Sequence, residues 1–173
     1  MIRRDSPVAF LITFRCYGTW LHGDPRGSIR RGQKVGEPRI PYRPGLQAAE
    51  RRRMLSPPAV LEPKQRAVIA QAMLDVCNYR GWSVYAMYVG SVHVHVVVAG
   101  ECPPERIMHD LKAYATRRLV EAGYWTRGRP LWARHGSTRY LWNDREVWEA
   151  VRYVQQWQDR SLGRGYRRLW MPS

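Results

Sequence analysis

His93 and His95 stand one residue apart in GSVHVHVVVAG, residues 90–100. In an extended chain alternate side chains share a side, so the two imidazoles project together while Val92, Val94 and Val96 project the other way. Their α-carbons are then about 6.5–7 Å apart, and the rings can converge on one cation. Neutral histidine is a common metal ligand, although the same pair also describes two histidines on a polar sheet face. Further along, AVRYVQQWQD (150–159) supplies a phenol, Tyr153, followed by Gln155, Gln156 and Gln158. A glutamine carbonyl oxygen is a hard donor, and added to two histidines it favours Mg²⁺ or Mn²⁺ over Zn²⁺. Most helical tyrosines simply pack. One that attacks phosphorus, with a pKa of about 10, needs deprotonation, a nearby cation or a polarised target. A cation holding the phosphate polarises it and aligns an in-line displacement. The chemistry these residues could do is therefore phosphoryl transfer.

Charge points to the same substrate class. Of the 173 residues, 29 are Lys or Arg against 14 Asp or Glu, a net charge of +15. The excess is almost all arginine, the lysines being Lys34, Lys64 and Lys112. Arginine grips phosphate bidentately and stacks on flat rings. Eight Trp and ten Tyr accompany it, a mixture suited to single-stranded nucleic acid. Candidate DNA contacts are Lys112, Arg117 and Arg118 in one helical segment, and Arg134, His135, Ser137 and Arg139 in WARHGSTRYLW (132–142). Lys112 could equally sit on a solvated helix face, and RHGST could be a turn that breaks a strand. Trp20, Trp142 and Trp157 are candidates for base stacking, with core burial the default for each. In WLHGDPRGS (20–28), His22 and Asp24 either approach the site or cap a turn; His109 is read as structural. Cys16, Cys77 and Cys102 show no CxxC spacing, which argues against a disulfide framework or zinc knuckle. No apolar run reaches membrane-spanning length and no secretory signal opens the chain, so a cytoplasmic protein without membrane contact is expected.

The elements that must position these groups read in order. VAFLITFRCYG (8–18) is a strand. Residues 19–62 form a long irregular insertion, with a short helix expected at 47–55. Helix 62–81 starts at Pro63 and stops at Gly81. Strands 82–90 and 91–100 form an antiparallel hairpin. Helix 103–123 follows, then one strand over 131–142 or two broken at Gly136. Helix 143–160, capped by Asn143 or Asp144, carries Tyr153. One domain over 1–160 and a basic tail over 161–173 are expected. The order β-α-β-β-α-β, then α, suggests an α+β fold: a ferredoxin-like split βαβ sandwich with an antiparallel sheet and two helices on one face. The other face is left for a ligand and for the C-terminal helix carrying the nucleophile.

Taken together these residues resemble a known family. HVHVVV is similar to the paired-histidine HUH motif, and YVQQWQ to the catalytic helix, of the single-tyrosine HUH transposases: the insertion-sequence (IS-two-hundred-like) and REP-associated tyrosine transposases. The likeness extends to TFRCYGTWLHGDPRGS (13–28), RGW (80–82), LKAYATRRL (111–119) and WARHGSTRYLW, in the same order, across roughly residues 8–159. It implies a ferredoxin-like fold, a divalent metal, and cleavage and rejoining of single-stranded DNA through a 5′-phosphotyrosine. It implies that His93 and His95 are metal ligands and Tyr153 is the nucleophile. The third ligand it implies is a polar residue about one turn after the tyrosine, where this chain has Trp157. Gln158 is the first choice and Gln156 the alternative. The expected partner is single-stranded DNA, in particular hairpin-forming element ends, and relatives of both kinds leave room for a homodimer or a monomer. A non-catalytic ferredoxin-like module binding single-stranded DNA or RNA is the other reading, since open sheets with aromatic platforms bind such ligands.

Overall fold

Alternation along the first strand sets the architecture. In β1 (Ala9–Cys16), Phe10, Ile12, Phe14 and Cys16 enter one apolar core, while Ala9 and Leu11 belong to a second. The computed structural model describes residues 6–28 and 37–161, excluding the side chains of 158–161. The expected tail beyond residue 161, and residues 29–36 of the insertion, lie outside the described residues.

After β1 come α1 (Pro44–Arg52), α2 (Pro63–Arg80), β2 (Ser83–Val89), β3 (His93–Ala99), α3 (Pro104–Glu121), β4 (Trp132–Leu141) and α4 (Asp144–Ser161). The sheet order is β2-β3-β1-β4, and each neighbouring pair is antiparallel. This is the split βαβ arrangement: β3 lies between β1 and β2, and β1 lies between β3 and β4. The helices α2 and α3 pack on each other and on one sheet face, around Ile69, Met73, Val76, Ile107, Leu111 and Leu119. On the other face lies α4, which crosses mainly β2 and β3.

The helix limits follow from local chemistry. Pro63 sits in the first turn of α2, Glu62 and Gln65 cap its start reciprocally, and Gly81 ends it at φ 71°, a left-handed conformation that glycine adopts without strain. The start of α4 is fixed by Asn143: its Oδ1 accepts from the Glu146 amide at 3.0 Å, and its Nδ2 donates to Glu146 Oε1 at 2.9 Å. The short insertion helix begins and ends three residues earlier than its expected span, because Pro44 is preorganised for a first turn. The third expected strand is a single one, β4, whose register against β1 shifts between Phe14 and Cys16. Gly136 sits beside that shift, where a Cβ would press on Met108 and come within 2.6 Å of the Thr13 carbonyl oxygen. Glycine there permits close approach and does not break the strand.

Candidate active site

Cross-strand pairing assembles the site one row at a time. Tyr88, His95, Thr13 and Ser137 are successive partners across β2, β3, β1 and β4. In the next row His93 pairs with Arg15. All project toward α4, since paired residues of an antiparallel sheet share a face. The two imidazole rings are 4.8 Å apart at their centroids. His95 is 5% exposed, and Thr13 Oγ1 lies 2.7 Å from its Nδ1. The Nε2 atoms of both His93 and His95 are buried without a hydrogen-bond partner among the described residues. With Nδ1 of His95 donating to Thr13, its Nε2 keeps a lone pair free for a ligand.

Burial holds both histidines below the usual imidazole range. His95 is pushed down to about 4 by burial, then by His93 and Arg15. His93 is lowered by burial and then by Arg15. Both rings are therefore neutral at neutral pH, as cation binding requires. Two buried, unpartnered imidazole nitrogens side by side fit a hard divalent cation as two of its ligands. Among the described residues no cluster of three His, Cys, Asp or Glu exists, so any further donor must come from another residue type, from substrate or from water.

Tyr153 comes to this pair from α4. The stripe Val147, Ala150, Val154 packs on Ala9, Val97 and Leu141. Tyr153 stands at the flank of that stripe, its ring centroid 5.3 Å from that of His95, and it is 41% exposed. The flank thus keeps the phenol next to the histidines and open to solvent. Trp157, one turn on, closes over the pair at 4.9 Å from His93 and 5.6 Å from His95. It is packed against the imidazoles, so its base-stacking role is not available in this arrangement. Gln156 is exposed, about 200° round the helix from the sheet-facing Val154. Gln158 belongs to α4, and its side chain lies outside the described residues.

The candidate DNA contacts divide between two regions. Ser137 and Arg139 lie on the sheet face of the histidines, beside Thr13 and Leu11, and both are exposed. Arg134 and His135 are exposed in the irregular part of β4. Lys112, Arg117 and Arg118 are on α3, in the layer across the sheet from the histidines. Lys112 Nζ donates to the Ala133 and His135 carbonyls at 3.0 and 3.4 Å, so its charge ties α3 to β4 and does not reach the site. Arg118 pairs with Asp75 at 3.3 Å, and Arg117 lies over Tyr114. Lys112 and Arg117 line a cavity of about 480 Å³ with His109, Thr116, Arg127 and Trp132.

Several site residues escaped sequence reading. Thr13, Arg15 and Tyr88 carry no motif of their own; only strand register places them beside the histidines. The Tyr88 ring lies 5.4 Å from His93 and 6.3 Å from His95, beneath Gly90, where a Cβ would stand 2.7 Å from Tyr88 Cε1. In the insertion, Asp24 is buried and held at about 2 by its hydrogen bonds to Arg26, and His22 Nδ1 lies 3.1 Å from Ser28 Oγ.

Fold and site together define an α+β protein with a ferredoxin-like sheet, whose α4 face ends in a histidine pair and an accessible phenol. No family model matches the chain, and no curated protein does. Among solved structures it is similar to a candidate transposase from Deinococcus radiodurans R1, at 12% identity and a TM-score of 0.48, over 90% of this chain and 96% of that one. It is also similar to a REP-associated tyrosine transposase bound to a REP hairpin, at 13% identity and a TM-score of 0.49, over 89% of this chain and 69% of that one. Neither likeness assigns a function to this chain. Among the described residues no helix is long and apolar enough to cross a membrane.

Proposed function

We propose that this protein is a metal-dependent transposase of the single-tyrosine HUH type, which cleaves and rejoins single-stranded DNA through a covalent 5′-phosphotyrosine on Tyr153. The observation that carries the reading is the pair of buried, unpartnered Nε2 atoms on His93 and His95 with the accessible Tyr153 ring 5.3 Å from His95. His93 and His95 would hold Mg²⁺ or Mn²⁺, with Gln158 as the third protein donor; the exposed Gln156 turns away from the sheet. A cation bound there would withdraw charge from the non-bridging oxygens of the scissile phosphate. Thr13 fixes the His95 ring through its 2.7 Å contact with Nδ1. Trp157 and Tyr88 wall the two rings. Tyr153 Oη forms the new bond to phosphorus as the bond from phosphorus to O3′ breaks. The phenolic proton leaves to solvent, and the departing O3′ is protonated to a 3′-hydroxyl. A 3′-hydroxyl from a second cut strand then attacks the phosphotyrosine, and Tyr153 regains its proton.

Tyr153 lies beside the histidines of its own chain, which supports attack within one copy. Two observations favour an enzyme over a passive single-strand binder. The helix α4 covers the sheet face that such a module leaves open, and the row nearest the opening holds His93 and Arg15 in place of aromatic platforms. The test is incubation with hairpin-forming single-stranded DNA and Mn²⁺. An SDS-stable adduct is expected with this protein and none with Tyr153→Phe. No adduct with the unaltered chain, or an equal one with Tyr153→Phe, sinks the mechanism.

A further inference from the structure

Arg15 projects beside His93, its direct cross-strand partner, at the open end of the site. Its guanidinium carbon lies 3.5 Å from the centroid of the Trp20 ring, which Arg26 also overlies at 4.3 Å. That ring is itself anchored, because Trp20 Nε1 donates to the Gly27 carbonyl at 2.8 Å. Arg26 is fixed in turn by a two-pronged pair with Asp24, at 2.7 and 2.8 Å, and by the Thr19 carbonyl at 3.0 Å. The turn 19–28 is therefore a small rigid brace, and its effect is to aim Arg15.

What Arg15 lacks among the described residues is an anion. Among the described residues it forms no ion pair and donates no side-chain hydrogen bond. Asp24, the nearby carboxylate, is engaged by Arg26. Stacking occupies a flat face of a guanidinium and leaves its N–H edge free, the edge that matches two oxygens of a phosphate. A half-buried cation kept unpaired costs free energy unless a ligand completes it. Arg15 pairs with His93 and the Tyr153 ring lies 5.3 Å from His95, so the nucleophile and this cation flank the same histidine pair.

We propose that Arg15 is a phosphate subsite of the active centre: its N–H edge binds non-bridging oxygens of a DNA phosphodiester next to His93 and His95, and the Trp20–Arg26–Asp24 brace preorganises it. Its part in catalysis rests on the phosphotyrosine reading above; its part in binding does not.

The binding test uses the full-length Tyr153→Phe protein and hairpin-forming single-stranded DNA in EDTA, across a series of salt concentrations. Adding Arg15→Gln is expected to lower the slope of log affinity against log salt by about 0.7, the contribution of one phosphate contact on a single strand. An unchanged slope overturns the subsite. Arg15→Lys, a second variant that keeps the charge and folds more readily, is placed in the chain that retains Tyr153. Its slope should match that of the parent, while the rate of adduct formation at saturating DNA should fall by about 10-fold or more, because the two-pronged edge is lost. An unchanged rate there overturns the subsite's role in positioning. The two proposals fail separately. A loss of salt slope in a protein that never forms an adduct upholds the subsite and sinks the nuclease. An adduct made at the parent rate by Arg15→Gln upholds the nuclease and sinks the subsite's role in positioning.

Discussion

The two faces of β3 differ by chemistry and by what covers them. Val94, Val96 and Val98 are fully buried against α2 and α3, two helices that also pack on each other. On the opposite face Val97 is equally buried, but His95 and His93 follow it toward the open end, and among the described helices α4 alone lies above. A helix body is about 10 Å across, whereas four strands at about 4.8 Å spacing make a wider floor. Two helices can close such a floor and one cannot. The apolar part of α4 seals the rows of Ala9, Val97 and Leu141; of the next rows, His95 and His93 meet Tyr153 and Trp157 from α4, and Arg15 meets Trp20. The site is the part of the sheet that one helix leaves incompletely covered. The lesson is that the same strand builds stability on one side and chemistry on the other, one residue out of phase.

That separation is open to direct attack. The largest effect should come from Tyr153→Phe: adduct formation on hairpin single strands should fall by at least about 10³-fold, the scale for removing a nucleophile. Its melting temperature should hardly move, because the residue is exposed. On the closed face, Ile12→Ala should cost about 2–5 kcal/mol in urea unfolding, the loss for an emptied core position. Below its melting range it should still form adduct. If Ile12→Ala abolished the adduct while folded, the two faces would not be separable. Between the layers, Thr13→Val should weaken Mn²⁺ binding by about 10- to 100-fold through misorientation of His95. A thermal-shift titration with Mn²⁺ reads this, and unchanged affinity would remove Thr13 from the site.

The smallest effect concerns acid. His95 accepts a proton near 6.5 when unfolded and near 4 when folded. Between those values the unfolded chain binds more protons, so stability falls as pH drops from about 6.5 toward 4 and is flat above that window. In EDTA, His95→Gln should lose less stability between pH 7 and pH 5 than the parent chain, by urea midpoint. Equal losses would show that other groups set the acid sensitivity.

Much of the frame was legible because its signals are local. Pro63 and Gly81 mark both ends of α2, Asn143 or Asp144 marks the start of α4, and strict alternation in HVHVVV puts both histidines on one side. The insertion helix was displaced in expectation because α1 has no buried residue to give it a phase. The site was legible only in its central residues. Tyr153 and the histidine pair carry recognisable spacing, but Thr13, Arg15 and Tyr88 are ordinary strand residues until register sets them beside His93 and His95. Lys112 shows the converse: a lysine in a basic chain invites a phosphate, and the fold gives it two backbone carbonyls.

The sequence by itself determined the order of elements, the side of β3 on which the imidazoles lie, and the helix that carries the phenol. These follow from periodicities of two and 3.6 and from caps, all set within a few residues. The tertiary structure alone decided which residues share a row, that the charge of Lys112 is spent across the sheet from the histidines, and that Trp20 braces Arg15. Those depend on strand register and helix crossing, which are fixed by the packing of distant segments.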